Sequence, residues 1–180
     1  MAPYFYVMFI KTGYEEKVIN EINGTWKMNE MKPFIPLYDM PFKRYGIITI
    51  EKRRFFPGYI IIESEMPGVK FVIETRDLIE RSRNMFRILK YGDDYQDSSY
   101  EMNEEERSIL LKLFNANHCV EISKGYYDEG NNIVITEGPF MGHEGCIKKV
   151  NRHKMEAVIN IDIMGSTREL KVGFELIQKR

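Results

Sequence analysis

The sequence is poor in the residues that build disulfides, metal centres and catalytic sites. It contains two cysteines and three histidines among 180 residues. Cys119 and Cys146 lie far apart and form no Cys-x-x-Cys pair, which argues against a disulfide framework or a cysteine-rich zinc site. The histidines are scattered, and the sequence has no nucleophile elbow, His-Glu-x-x-His helix or phosphate-binding loop. We therefore expect no catalytic residue, no metal and no cofactor.

Long apolar runs are also missing. Residues 1–10 are apolar, but they lack a basic lead segment and run directly into Lys11, so they suit neither a membrane span nor a signal peptide. A content of 43% hydrophobic and 13% aromatic residues is enough for a folded core. The expectation is a cytoplasmic globular protein with no membrane partner, and nothing indicates an obligate dimer, so a monomer is expected.

The formal net charge is only −1, but it hides an uneven distribution. Residues 93–106 hold seven acids and no base, so the rest of the chain carries +6. Two basic clusters are interleaved with aromatic residues: the first basic cluster is Lys43, Arg44, Lys52, Arg53 and Arg54, and the second is Arg76, Arg81, Arg83, Arg87 and Lys90. Cations neutralise phosphates while rings offer stacking faces, which favours nucleic-acid binding. A solvated basic face beside an ordinary core is the alternative.

Hydrophobic periodicity predicts an α+β domain followed by a small all-β domain. Strands are expected at residues 4–10, 34–37, 47–50, 59–63 and 86–90, and helices at 14–22, 69–79 and 104–114. Thr12 and Glu15 have the spacing of a capping box. Short strands at 133–136, 146–151, 156–163 and 169–172 indicate a barrel. The predicted division is an antiparallel sheet flanked by helices over 1–117, a linker over 118–129, and an SH3-like barrel over 130–180.

Two segments resemble signatures of one known family. Residues 53–60, RRFFPGYI, look like the signature of the NusG family of transcription elongation factors. Residues 130–140, GNNIVITEGPF, followed by Gly145, are similar to the C-terminal KOW motif of that family. The likeness spans essentially the whole chain. It implies a NusG N-terminal (NGN) domain, a KOW domain, and a protein that is not an enzyme.

The resemblance also implies a partner. In the family, an apolar pocket of the N-terminal domain binds the clamp helices of the largest RNA polymerase subunit. The positions that match this pocket are Phe9, Phe56, Tyr59 and Ile88. Simple core packing is the alternative for each of them, and Phe56, beside Pro57 at the start of a strand, is expected nearer the surface.

The KOW segment departs from the family pattern. Phe140 and His143 match the positions at which the KOW turn binds partners, but His143 stands where a second aromatic residue is usual. Lys148 and Lys149 replace residues that are commonly acidic. These differences weaken the inference that the domain contacts termination factor Rho or ribosomal protein S10. They make the chain look like a specialised paralog.

Two specialised branches of the family are relevant. Residues 85–92 and the acid-rich connector are similar to LoaP, an antiterminator recruited by a hairpin in the nascent RNA. Residues 133–138 are similar to RfaH, which reads an exposed non-template DNA strand. The KOW unit of RfaH refolds as helices, but residues 157–163 are β-branched and alternating, so no helical switch is expected here.

The sequence thus predicts an operon-specific transcription elongation and antitermination factor. It would bind RNA polymerase through the N-terminal domain and a nascent RNA hairpin through the two basic clusters. A different class remains open: a KOW-containing ribosomal or ribosome-assembly protein that binds structured RNA without touching polymerase.

Overall fold

The computed structural model describes residues 3–24, 30–91, 99–163 and 165–178. Part of the acidic connector therefore lies outside the described residues. The chain divides into two compact units: the first comprises residues 1–36 and 56–107, and the second comprises residues 37–55 and 108–180.

The described elements comprise twelve strands and three α-helices. The strands are β1 (Tyr4–Ile10), β2 (Met31–Phe34), β3 (Leu37–Arg44), β4 (Ile47–Arg54), β5 (Tyr59–Ser64), β6 (Met85–Ile88), β7 (Cys119–Val120), β8 (Ser123–Tyr127), β9 (Ile133–Glu137), β10 (Ile147–Asn151), β11 (Glu156–Ile163) and β12 (Ser166–Leu176). The helices are α1 (Glu15–Asn23), α2 (Gly68–Arg81) and α3 (Glu104–Leu113).

The first unit is built on an antiparallel sheet of order β2-β5-β1-β6. Side chains alternate across a strand, so Tyr6, Met8 and Ile10 of β1 point to one face, where they share a core with Val18 of α1 and Phe71 of α2. The rings of Tyr6 and Phe71 stack with centroids 3.7 Å apart. Burial raises the pKa of the Tyr6 hydroxyl, which donates to the backbone carbonyl of Met66 at 2.6 Å.

The second unit is almost entirely β-structure. Its larger sheet has the order β10-β11-β12-β8-β9 and is curled, with β12 and β8 running parallel. Phe140, Ile159 and Phe174 are buried in its core. A smaller sheet of order β4-β3-β7 belongs to the same unit. The predicted fold class, an α+β domain with an all-β C-terminal domain, is confirmed, and β11 covers the β-branched segment that was expected to be a strand.

Two local expectations were wrong: the strand at 34–37 and the capping box at the start of α1. The expected strand at 34–37 falls instead on the break between β2 and β3, where Pro36 cannot donate a ladder hydrogen bond. The expected linker over 118–129 contains β7 and β8. Gly125 lies in β8, where a Cβ would meet the carbonyl oxygen of Val134 on β9, so glycine permits the pairing. The N-cap of α1 is Tyr14 rather than Thr12, and Tyr14 makes no side-chain capping hydrogen bond.

A backbone bridge joins Tyr91, which follows β6, to Ser99, which lies within the acid-rich stretch 93–106. The N–H of Tyr91 donates to the carbonyl of Ser99 at 2.7 Å, and the N–H of Ser99 donates back at 3.0 Å. A reciprocal pair of this kind fixes both residues in extended pairing. Tyr91 and Ser99 therefore lie side by side.

In the second unit, β12 passes very close to β3. A Cβ on Gly173 would meet the carbonyl oxygen of Asp39 and would lie 2.9 Å from Cδ of Pro41. Both neighbours belong to the backbone or to a rigid ring and cannot turn aside. Glycine at this position therefore allows the β3–β4 hairpin to pack on the C-terminal sheet.

We expect Gly173→Ala to destabilise the protein. The added methyl group forces the two strands apart, and overpacking of this kind costs about 1–3 kcal/mol. Urea unfolding followed by circular dichroism measures the effect. Gly145→Ala is the control, since a Cβ at Gly145 meets no atom within 4 Å. Equal unfolding midpoints for the two variants would contradict the close-packing argument.

Candidate protein and nucleic-acid interfaces

Three aromatic side chains form a cluster on the first unit. Phe9 on β1 lies directly opposite Tyr59 on β5, and their ring centroids are 5.3 Å apart. Phe86 on β6 adds a third ring, 5.2 Å from Phe9. Phe9 and Tyr59 are half-buried and Phe86 is 49% exposed. We call these three residues the aromatic cluster.

The turn before β5 sets the position of this cluster. Gly58 has a φ of +83°, a left-handed conformation that favours glycine, and a Cβ there would lie 2.7 Å from Oγ1 of Thr12. Its N–H donates to Oε1 of the buried Glu15 at 2.9 Å, and its carbonyl accepts from the N–H of Ile10 at 2.9 Å. The turn is thus fastened to α1 and to the end of β1, and Tyr59 is delivered beside Phe9.

The four predicted polymerase-binding residues do not share one exposed surface. Phe9 and Tyr59 lie together, but Phe56 is only 3% exposed, against the expectation of a place nearer the surface. Ile88 is opposite Met8 and packs in the core on the other face of the sheet. The residue that completes the exposed group is Phe86, because a register shift after Phe9 alters the pairing with β6. No sequence pattern signals that shift.

The first basic cluster lies entirely on the β3–β4 hairpin, as its sequence position suggested. The hairpin turns at Tyr45 and Gly46, whose φ angles are +50° and +83°. Two positive φ values match a two-residue type I′ turn, whose twist suits the flanking strands. Lys43 and Arg44 lie beside the turn, and the guanidinium of Arg44 is 5.2 Å from the centroid of the Tyr45 ring.

Acidic neighbours engage two cations near the base of the hairpin. Nζ of Lys52 is 2.9 Å from Oδ1 of Asp39, and the Arg53 guanidinium is 2.9 Å from Oε2 of Glu51. The hydrogen bond to Asp39 raises the pKa of Lys52, so its ammonium stays charged. Around the turn the hairpin also exposes Tyr45, Ile47, Ile48 and Ile50. Sequence reasoning treated the three isoleucines as ordinary strand residues and missed their exposure.

The second basic cluster occupies α2, the following loop, β6 and the residues just after it. All five cations are exposed. Both neighbours of Arg83 are held by one carboxylate: the Ser82 hydroxyl donates to Oε2 of Glu21 at 2.7 Å, and Nδ2 of Asn84 donates to Oε1 at 3.1 Å. Arg83 is therefore presented from a fixed loop.

Two cations of this second cluster have neighbours that bear on binding. Arg81 lies 3.9 Å from Asp77, but both side chains are about four-fifths exposed, so the pair contributes little and leaves Arg81 available to a partner. The guanidinium of Arg87 lies 5.9 Å from the centroid of the Phe9 ring. The second basic cluster thus borders the aromatic cluster.

The two KOW positions expected to bind partners differ in exposure. Phe140 is 1% exposed, and its N–H donates to the Ser123 hydroxyl at 3.2 Å, so it is part of the core. His143 is half-buried. The apolar side chain that this turn exposes is Met141, at 60%, which sequence reasoning did not select.

The described ranges hold no sign of two other kinds of site. No group of three His, Cys, Asp or Glu residues in them is placed to hold a metal ion. Within those same residues, no helix combines the length and the apolarity needed to cross a bilayer.

An exposed aromatic cluster bordered by exposed cations, on an α+β domain followed by a small all-β domain, is typical of a protein that binds macromolecules. Comparison with known proteins identifies the class. Residues 3–111 match the family described as transcription termination factor nusG. The chain belongs to the NusG family of transcription termination and antitermination factors, which are not enzymes and which work with RNA polymerase.

Similar proteins align along almost the whole chain. The transcription termination/antitermination protein NusG of Buchnera aphidicola is 23% identical over 97% of this chain and 95% of its own length. The protein of the same name from Borreliella burgdorferi is 24% identical, with 99% and 100% covered. A solved structure, described as domain interaction in Thermotoga maritima NusG, has a TM-score of 0.53 at 20% identity and covers 96% of this chain and 93% of its own. That structural likeness supports the fold.

We expect Glu15→Ala to destabilise the first unit. The substitution leaves the buried N–H of Gly58 without its acceptor, and an unsatisfied buried donor costs about 1–3 kcal/mol. Urea unfolding followed by circular dichroism measures the loss. Glu16→Ala removes the neighbouring, exposed carboxylate and should change the midpoint far less. An equal loss in both variants would show that the bond to Gly58 is not the cause.

Proposed function

We propose that this chain is an operon-specific elongation and antitermination factor, a LoaP-like member of its family. In this proposal the first unit docks on the clamp helices of the largest RNA polymerase subunit, and a nascent RNA hairpin recruits the protein through the basic clusters. The observation that carries the proposal is the aromatic cluster of Phe9, Tyr59 and Phe86 with Arg87 at its border.

The aromatic cluster has the properties of a docking site. Its rings are partly exposed but held in place by the Gly58 turn, so little side-chain freedom is lost on binding. Covering an apolar side chain contributes about 1.5–3 kcal/mol, and aromatic residues are common anchors of interfaces. Phe56 and Ile88 act as supports in this proposal, because both are buried. By binding the elongating state of polymerase more tightly than paused states, the protein favours continued transcription.

The basic clusters supply the second contact. Duplex RNA is recognised mainly through phosphates and 2′-hydroxyls, which exposed arginines and lysines can bind. If the second basic cluster meets about four phosphates, the logarithmic dependence of affinity on salt has a slope of roughly −3 to −4. Recognition of an exposed non-template DNA strand, as in RfaH, is the competing mode. Binding of a hairpin RNA and a single-stranded DNA of the same sequence, compared over several salt concentrations, separates the two.

In this proposal the C-terminal sheet binds other protein factors. Met141 and His143 form the accessible part of the turn that precedes β10, whereas Phe140 supports it from the core. Without a second aromatic residue at this turn, contacts with Rho or S10 receive no support from the residues present. In this proposal residues 1–117 form the polymerase-binding domain, residues 118–129 the connection, and residues 130–180 the factor-binding domain.

Polymerase binding should depend on the aromatic cluster. We expect Phe9→Ala combined with Tyr59→Ala to weaken retention on immobilised core polymerase by ten- to a hundredfold, the equivalent of about 1.5–3 kcal/mol. Tyr127→Ala, which removes a ring that is 41% exposed on the second unit, is the control. Circular dichroism verifies that each variant is folded. Undiminished retention of the folded double variant would refute the docking proposal.

RNA binding should depend on the second basic cluster. We expect Arg81→Glu combined with Arg83→Glu to weaken hairpin binding strongly and to make the salt slope shallower by about 1.4–1.8, from 0.7–0.9 per phosphate. Fluorescence anisotropy with a labelled hairpin measures both quantities. The matched control is Lys17→Glu combined with Lys70→Glu. These two exposed lysines lie outside both clusters, and the net charge changes by the same amount. Equal losses in the two double variants would indicate a nonspecific effect of charge.

A further inference from the structure

The second unit contains a groove that includes Lys43 and Arg53 of the first basic cluster and extends beyond that cluster. One wall is the β3–β4 hairpin, which contributes Phe42, Lys43 and Arg53. The other wall is the turn between β10 and β11, which contributes His153, Lys154 and Met155. The groove has a volume of about 330 Å³. That volume is in the range of sites for small ligands, so it suits a nucleotide-sized segment and is too small for a duplex.

Both walls are held in place before any ligand binds. In the β10–β11 turn, the N–H of Lys154 donates to Oδ1 of Asn151 at 3.1 Å. Met155 has a φ of +50°, and its carbonyl accepts from the N–H of Phe174 on β12 at 2.9 Å. The same strand carries Gly173, whose missing side chain lets β3 approach. One strand thus anchors the turn and seats the hairpin, which fixes the spacing of the walls.

The charge of the groove selects an anionic ligand. Three cations, Lys43, Arg53 and Lys154, are exposed along it, and Arg53 also pairs with Glu51. The exposed His153 ring lines the same wall as Lys154. Its acidic residue, Glu156, is buried and lies 3.7 Å from Lys171, so its charge is partly balanced within the protein. The cations stand on both walls, an arrangement that can follow a chain of phosphates rather than hold one ion.

The groove also has an aromatic face. Phe42 is 41% exposed beside these cations. Sites for single-stranded nucleic acid combine a positively charged groove with aromatic rings on which bases stack. Duplexes offer no free base face to such a ring, whereas an unpaired strand does. An acidic peptide would use the cations but would leave the ring without a stacking partner.

We propose that this groove binds a single-stranded segment of nucleic acid, with phosphates on the cations of both walls and a base against Phe42. The proposal rests on the nucleic-acid recruitment in the proposed function and adds a second, unpaired-strand site to it. It also assigns a binding role to His153 and Lys154 of the C-terminal sheet. The strand could be the unpaired RNA beside the hairpin or the exposed non-template DNA, which share this chemistry.

The test compares binding of the full chain to two RNAs by fluorescence anisotropy. One is a hairpin alone, and the other is the same hairpin with a single-stranded extension of about ten nucleotides. We expect the extension to tighten binding roughly tenfold. Phe42→Ala should remove most of that gain, and Lys154→Glu should reduce it and make the salt slope due to the extension shallower by about 0.7.

Matched controls separate the groove from general effects. Tyr127→Ala removes a ring with the same 41% exposure as Phe42, and Lys148→Glu reverses another exposed lysine of the same sheet. Both controls should keep the gain from the extension. A hairpin that binds while the extension adds nothing, or a gain that the controls lose equally, would overturn the groove proposal and leave the hairpin site intact.

Failure of the hairpin itself to bind would refute the proposed recruitment. In that case, single-stranded nucleic acids without a hairpin complete the test of the groove. Single-stranded RNA and DNA of one sequence are then titrated directly. Weaker binding by the groove variants than by their controls supports the groove, and the strand that is bound more tightly identifies the source. No binding of either strand, or binding of polyglutamate alone, would overturn the proposal.

Discussion

The buried hydrogen bond from the N–H of Gly58 to the carboxylate of Glu15 is the contact on which the docking surface depends. A bond to a carboxylate is stronger than one between neutral groups, and here it holds a turn whose left-handed backbone favours glycine. Tyr59 follows this turn directly. The bond works together with the pairing of β1 and β5, which sets Tyr59 opposite Phe9, and with the hydrogen bond from the N–H of Ile10 to the carbonyl of Gly58.

Helix α1 connects the two candidate surfaces of the first unit. Glu15 at its start holds the turn that positions the aromatic cluster, and Glu21 near its end holds the residues on either side of Arg83. Both carboxylates point away from the helix towards neighbouring loops. The helix therefore has a second role besides covering the sheet with Val18 and Ile22: it keeps an apolar surface and a basic surface at a constant separation.

The sequence was sufficient for features that depend on local patterns. Apolar patterns predicted β1, β5 and the helices. The motifs at residues 53–60 and 130–140 predicted the family. Features that depend on contacts between residues far apart in the sequence could not be predicted. Glu15 was predicted to cap its helix, because its actual partner, the N–H of Gly58, is 43 positions away. Phe86 lies beside Phe9 because of a register shift between β1 and β6. Gly125 fell within the predicted linker, because the sequence does not show that β9 pairs with it.

The bridge between Tyr91 and Ser99 has a consequence for variation of the protein. Because the two residues hold each other, the chain between them starts and finishes at fixed points whatever its own length. Closing a longer loop costs only slowly increasing entropy. Insertions or deletions between Tyr91 and Ser99 should therefore leave β6 and α3 in place, which makes this a position where the chain tolerates changes of length.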